Sequence, residues 1–375
     1  MPASVFVVTN RAFTKDGSTG RYRLKDVPNN KGPKELRLFE ATPQDAELRE
    51  WHLSIIKDRP RQQDFAAYGV QTARRRNSYR GSDLTAARVV DRLRRENKNL
   101  VVFIHGYNNN AEDALRRAWR LADRYQVEVL VFTWPANGGG DGLFEDLHGV
   151  ASYRSDKSDA RASTEALDRA LSRLQAQLAE LNEGARAEAE ADAAEAHPND
   201  RAERRERLVR LLQRRACPFR VTLLAHSMGN YLLKKTLMSS TERLSRGTIF
   251  DNVIVKAADT NHTDHALWIE RLRVTRRVYI ALNQDDAALR LSAMKIGDQQ
   301  QPRLGNTLAE QNAAGACYID VTPYVGDRHS YFDEADLARD AAPELTAFFQ
   351  QALNGEIAED ELTYRVATNT YRIGP

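Results

Sequence analysis

Short apolar runs recur along the chain, each rich in β-branched or aromatic residues and each closed by polar or turn-forming ones. They lie at residues 5–8, 100–104, 127–132, 221–225, 253–255, 278–282 and 318–321. Runs this near to continuous, without the in–out alternation of a half-exposed strand, predict strands buried on both faces, as in a parallel sheet. Between them the apolar positions change to helical spacing. Residues 111–125 put Ala114, Leu115, Ala118, Trp119 and Ala122 on one stripe, and residues 163–181 do the same with Leu167, Leu171, Leu174 and Leu178. Further helices are expected at 83–96, 230–239, 265–272 and 334–353. Strand and helix in alternation predict an α/β fold with a mostly parallel central sheet flanked by helices. The first 95 residues are expected to add edge strands to that sheet, and residues 363–373 read as a last strand. A single domain over residues 1–375 accommodates the whole pattern.

One crossover breaks the rhythm. Phe219 stands 85 positions after Trp134, far more than one connecting helix needs. Residues 183–195 are alanine-rich and acidic, with Glu188, Glu190, Asp192 and Glu195. His197-Pro-Asn-Asp200 is a breaker, and residues 201–215 are strongly basic. Residues 182–215 are therefore expected as a charged helical hairpin inserted within the domain, its two arms attracting each other. Such charge runs usually form solvated faces. The hairpin also offers a surface for a protein partner or a second copy of the chain. No nucleic acid is expected there, because acidic neighbours accompany the arginines and no aromatic residues interleave.

Composition narrows the class without choosing a function. A chain of 375 residues with 42% hydrophobic and 29% charged residues suits a globular protein that buries its core unaided. A net charge of +3 gives no polyacidic or strongly basic character. Two cysteines, Cys217 and Cys317, cannot build a disulfide framework. No apolar run approaches the roughly 18 residues of a membrane span, and the first residues lack the basic stretch and cleavage pattern of a secretion signal. A reduced, cytoplasmic setting is the expectation.

The chemistry concentrates in Val221-Thr-Leu-Leu-Ala225-His226-Ser227-Met228-Gly229-Asn230. An apolar strand enters small-x-Ser-x-Gly and leaves as an apolar helix, the form of a nucleophile elbow. The sharp turn lifts the serine oxygen above the sheet, and small residues two before and two after let strand and helix approach. Ala225 stands where glycine is commoner. A second strand ends in His105-Gly106-Tyr107-Asn108. Acyl chemistry needs two backbone N–H donors for an oxyanion. Met228 would supply one and Tyr107 the other, with Gly106 letting the loop turn inward.

Serine needs a histidine to take its proton and a carboxylate to orient that histidine. In a fold of this kind the order is serine, acid, histidine. Of eight histidines, only His262, His265 and His329 follow Ser227. His262 and His265 precede the expected acid, which leaves His329, on the loop after the last strand of the central run. The strand at 278–282 runs into Asn283-Gln-Asp285-Asp286. One aspartate can orient His329 while the other caps the next helix; Asp286 is preferred to Asp285 as the acid, and Asp259 is a third option. His262 and His265, three apart, lack a third ligand and read as a capping turn, so no metal is expected. Trp134 could wall a substrate pocket or pack in the core. The glycine loop at 137–142 has no Gly-Lys-Ser/Thr to cradle phosphate, and no cofactor is expected.

Together, Thr9-Asn-Arg11, His105-Gly-Tyr-Asn108, Phe132-Thr-Trp-Pro135, Ala225-His-Ser-Met-Gly-Asn230, Asp286-x-Ala-Leu289 and His329-Ser-Tyr-Phe332 resemble the bacterial alpha/beta-hydrolase family of unknown function within the esterase/lipase superfamily. The resemblance covers roughly residues 4–350. It implies an alpha/beta-hydrolase fold and a serine hydrolase with Ser227, Asp286 and His329 as its triad, and it suggests roles for Tyr153 and Asp156. The charged hairpin is an elaboration on that pattern. The expected reaction is cleavage of a small-molecule carboxylic ester or related acyl bond through an acyl-enzyme. The competing expectation is an inactive hydrolase-fold scaffold that binds through its charged arm; the intact serine, aspartate and histidine argue against it.

Overall fold

A computed structural model of the chain describes residues 3–68, 78–136, 146–215, 219–239, 249–294, 301–331 and 342–374. The strands are β1 (Val5–Thr9), β2 (Arg11–Lys15), β3 (Tyr22–Pro28), β4 (Arg37–Pro43), β5 (Trp51–Ile55), β6 (Leu100–Ile104), β7 (Glu128–Thr133), β8 (Val221–His226), β9 (Phe250–Lys256), β10 (Val274–Leu282), β11 (Ala316–Asp320), β12 (Thr363–Arg365) and β13 (Thr370–Arg372). The helices are α1 (Gly81–Glu96), α2 (Ala111–Tyr125), α3 (Asp146–Ala162), α4 (Thr164–Ala196), α5 (Arg201–Arg215), α6 (Met228–Ser239), α7 (Ala266–Ile269), α8 (Ala287–Met294), α9 (Thr322–Val325) and α10 (Pro343–Leu353).

Among the described residues, eleven strands form one sheet in the order β12-β13-β11-β10-β9-β8-β6-β7-β1-β4-β5. From β13 to β1 every neighbouring pair is parallel. The antiparallel pairs are confined to the ends, β4 and β5 on one side and β12 on the other. The continuous apolar runs have the physical cause expected of them: β6, β7 and β8 are buried at every position. Successive side chains go to opposite faces. Val102, Ile104, Leu223 and Ala225 enter one core with residues of α1, α4 and α6, while Val101, Phe103 and Leu224 enter the other with residues of α2 and α10.

The ends of the chain are more divided than expected. β2 and β3 leave the main sheet as a separate two-stranded ribbon. The single strand expected over 363–373 is the hairpin β12–β13. The helix expected at 265–272 is a single turn, α7, and of the one expected at 334–353, residues 334–341 lie outside the described residues.

The charged arm is not a separate unit set on the crossover. It grows from the crossover helix itself: α4 packs Ala166, Leu167 and Leu171 into the core and continues unbroken to residue 196. After a four-residue turn α5 returns along it, and Ala189 and Ala193, one helical turn apart, are wholly buried. Ion pairs follow each helix, Arg186–Glu190 and Arg210–Glu206, and His197 Nδ1 meets Glu203 at 2.9 Å across the turn. No described helix is long and apolar enough to cross a membrane.

Candidate active site

β8 ends at His226 and α6 begins at Met228. Ser227, between them, has φ +53°, a left-handed conformation that a serine adopts at a cost and that clusters at functional turns. The turn is held from several sides. The Ser227 amide donates to the Lys256 carbonyl at 3.1 Å, and the Ser227 carbonyl accepts from the amides of Asn230 and Asp259. The Asn230 side-chain amide reaches back to the carbonyls of Ala225 and Lys256, at 3.0 and 2.9 Å.

Two glycines set how closely the pieces meet. A Cβ on Gly229 would lie 2.6 Å from the His105 carbonyl oxygen and 2.7 Å from that of Ile104, so α6 starts directly against the end of β6. A Cβ on Gly106 would lie 2.7 Å from the Ser227 Cβ. Backbone of the loop after β6 therefore passes within van der Waals reach of the serine, as an oxyanion donor must. Met228 is the first residue of α6, where an amide has no carbonyl one turn earlier to bond.

Asp286 and His329 meet. His329 Nδ1 lies 2.8 Å from Asp286 Oδ2 and 3.1 Å from Oδ1. The Tyr331 hydroxyl donates to Oδ2 at 3.0 Å, and the Leu289 amide donates to Oδ1 at 3.0 Å. Asp286 thus caps α8 and binds His329 at once, so the expected division of these tasks between two aspartates is corrected. Asp285 is more than half exposed and lies 4.0 Å from Arg290. Asp259 is spoken for elsewhere: it accepts from the Tyr153 hydroxyl at 2.9 Å and the Ser292 hydroxyl at 2.5 Å, and pairs with the buried Arg303 at 3.3 Å.

The Asp286 side chain is wholly buried, while that of His329 keeps 23% exposure, which leaves its ring reachable from solvent. That ring lies 4.9 Å, centroid to centroid, from the ring of His226, the residue before Ser227. Among the described residues no hydrogen bond joins Ser227 Oγ to His329, and such bonds commonly tighten only when substrate arrives.

The loop after β6 is braced by several side chains: Tyr153 and Asp156, for which the resemblance suggested roles, Arg11, which entered it only within a motif, and Asn109 and Arg117, to which the sequence assigned no task. Arg11, wholly buried at the start of β2, donates to the Asn109 carbonyl at 2.8 Å and to Thr133 Oγ1 at 2.9 Å, and pairs with Asp26. The Asn109 side chain donates to the Tyr107 carbonyl at 2.6 Å. Arg117 joins this loop to the His329 loop, with Nε on Asn109 Oδ1 at 3.0 Å and Nη1 on Ser330 Oγ at 2.9 Å. Asp156 accepts from the Asn108 amide at 3.1 Å. Tyr153 packs its ring 5.6 Å from that of Tyr107, and the Tyr107 hydroxyl meets Ser152 at 3.2 Å. For Arg11 the signal in the sequence was the polar triplet Thr9-Asn10-Arg11 following an apolar strand.

Trp134 takes the core alternative, and its assignment to the substrate pocket is corrected. It is fully buried, stacks on the His105 ring at 5.3 Å and 2°, and donates its indole N–H to the His105 carbonyl at 3.1 Å. His105 Nδ1 meets the Gly106 carbonyl at 3.0 Å, which makes Nδ1 the donor and leaves Nε2 to accept from the Trp134 amide at 3.2 Å. The glycine loop at 137–142, Phe332 and Cys217 lie outside the described residues. His265 bonds the His262 carbonyl and the Tyr318 hydroxyl, and the described residues contain no group of three side chains able to hold a metal.

Burial, with the Arg11 charge second, pulls the His105 imidazole down to about 3. Between that value and the ordinary 6.5 only the unfolded chain takes up the proton. The contribution of neutral His105 to stability is therefore complete above about pH 6.5 and is lost as pH falls toward 3. Glu128, raised by burial to about 7, acts in the opposite sense, losing its contribution as pH rises from 4.5 through 7. Comparing variants isolates the histidine. His105→Asn is expected to flatten the acid-side fall of unfolding free energy in urea titrations between pH 6.5 and 4; an unchanged slope would contradict the neutral, buried imidazole.

A family model described as alpha/beta hydrolase of unknown function (DUF900) matches residues 82–182 and 193–336, well over half of the chain. The interval between the two matched stretches falls within the charged arm. Searches of curated proteins and of solved structures gave no match. With its parallel sheet, its strand–serine–helix turn and this match in hand, the chain belongs to the alpha/beta hydrolases of unknown function.

Proposed function

We propose that the protein is a serine hydrolase that cleaves a carboxylic ester, or a related acyl bond such as a thioester or amide, through an acyl-enzyme. The observation that carries this reading is the convergence of the strained Ser227 turn with the His329–Asp286 pair at one end of the parallel sheet. His329 takes the proton of Ser227 Oγ as that oxygen attacks the acyl carbonyl. Asp286 holds the Nδ1 proton, so that Nε2 is the nitrogen free to accept. The tetrahedral oxyanion is met by the amides of Met228 and Tyr107, typically the largest single electrostatic contribution to such a reaction. His329 then returns the proton to the leaving group. A water activated by the same imidazole releases the acyl group from Ser227.

The same reading takes residues 1–375 as one hydrolase domain. The arm at 182–215 is then its elaboration, open to a protein partner or a second copy. Ser227→Ala is expected to lower kcat/KM for a short p-nitrophenyl ester by about 10⁴-fold or more, with the circular dichroism spectrum unchanged. A folded variant that turns over at the wild-type rate would contradict the mechanism.

A further inference from the structure

Between α1 and α4 lies a cavity of about 330 Å³, which runs along one face of the sheet from Val8 on β1 across Leu130 on β7 to Leu100 on β6. Its lining includes Leu100 and Phe219, at or just before the amino ends of β6 and β8, whereas the candidate catalytic loops follow their carboxyl ends. In the sheet, β7 and β6 stand between β1, where Val8 lines the cavity, and β8, which leads to Ser227, and none of the residues that line the cavity belongs to the Ser227, Asp286 and His329 loops. A cleft of this volume has the size of a small-molecule site.

The walls are aliphatic. Leu36, Leu38, Ala170, Leu174, Leu178 and Leu181 all line it, and all six pack against the main core while remaining only partly buried. On α4, Ala170, Leu174 and Leu178 recur every fourth residue, which makes one continuous stripe. The rim has the opposite chemistry. Four arginines, Arg37, Arg80, Arg169 and Arg173, face two carboxylates, Glu35 and Asp58. Glu35 is already paired with Arg37 at 2.5 Å. Arg169 gives one N–H to the Lys34 carbonyl at 2.7 Å, a neutral acceptor, and shares the charge of Glu35 with Arg37, which holds the direct contact. Arg80, Arg169 and Arg173 are exposed.

We infer that this cavity is a second ligand site, built for a single aliphatic chain that ends in a carboxylate. The chain fills the leucine-lined space, where an apolar cavity stays dry and favours apolar ligands. The head group meets the guanidinium forks of Arg169 and Arg173, whose planar donor geometry matches a carboxylate. An uncharged chain would gain only the first of these, and a small polar anion only the second. The inference stands apart from the catalytic reading, since it shares no residue with it.

The test is calorimetric titration of decanoate, below its micelle concentration, into the full-length protein. Saturable binding of one decanoate per chain is expected, with decanol at least tenfold weaker. The surface variant Arg169→Glu/Arg173→Glu, which touches no core residue, should weaken decanoate at least tenfold and erase its advantage over decanol. Ala170→Trp should fill the chain space and abolish binding, with its circular dichroism spectrum confirming the fold. Absence of saturable binding to the wild type would overturn the inference. So would binding that survives unchanged in the arginine variant or in folded Ala170→Trp, because decanoate would then sit elsewhere, the cleft at Ser227 included.

Discussion

Asp286→Asn is expected to cut kcat/KM toward a short acyl ester by about 10⁴-fold while leaving α8 intact. The two tasks of this side chain respond differently to the change. Oδ1 accepts the Leu289 amide at the start of α8, and asparagine caps a helix as well as aspartate does. The bond to His329 Nδ1 is another matter. An amide that turns its NH₂ toward Nδ1 drives the imidazole proton to Nε2, the nitrogen that must be free to accept from Ser227. Asp286→Ala removes the cap as well and should cost about 1 kcal/mol more stability than Asp286→Asn. Steady-state ester hydrolysis and urea denaturation on both variants separate the effects. An Asp286→Asn enzyme within tenfold of wild type would contradict the assigned role.

Arg11→Met is the second large effect, expected to destabilise the fold by about 3–5 kcal/mol. The guanidinium is wholly buried and serves acceptors on three separate pieces of chain: Asp26 on β3, Thr133 at the end of β7 and Asn109 in the loop after β6. Methionine fills similar space but removes the cation from the half-exposed Asp26 and the donor from the buried Asn109 carbonyl, and a buried acceptor left unmet carries its own desolvation cost. Because Asn109 in turn holds the Tyr107 carbonyl, the loop that would bind the oxyanion loses a brace. Misplacement of a catalytic group by about 1 Å can cost 10²-fold, so kcat should fall by more than KM rises. Arg11→Lys should restore little of either, since an ammonium cannot reproduce the fork. Urea denaturation with parallel kinetics checks this; wild-type stability in Arg11→Met would refute it.

The strands were legible because each is buried on both faces, which leaves a continuous apolar run with no competing pattern. The strand–Ser227–helix turn was legible because such a turn fixes its neighbours in sequence: small residues at 225 and 229, a strand before and a helix after; the pairing of His329 with an aspartate after β10 was sought from the chain order such folds use. The choice between Asp285 and Asp286 was not, since two adjacent acids satisfy the same spacing. What separates them is that one points into the protein, where Leu289, His329 and Tyr331 all reach it. Trp134 was ambiguous for a similar reason, because a large aromatic at a strand end suits a pocket wall and a core equally; its stacking on His105 depends on two strands lying side by side. Arg11 was legible only as part of the motif Thr9-Asn-Arg11, not in what it does. Its partners lie 15, 98 and 122 positions away, and only the fold assembles them. The arm was expected from composition, but its continuity with the crossover helix was hidden, because a change from apolar to acidic residues alters the solvent exposure of a helix without ending it.

The central claim is that Ser227 is an activated nucleophile. Its most direct test is the intact mass of the full-length protein after exposure to a fluorophosphonate, which phosphonylates only an activated serine, followed by peptide mapping. One adduct per chain on the peptide holding Ala225-His226-Ser227-Met228 is predicted, absent from Ser227→Ala and strongly slowed in Asp286→Asn. A folded wild-type protein that takes no label at Ser227, or takes it at another serine, would contradict the account.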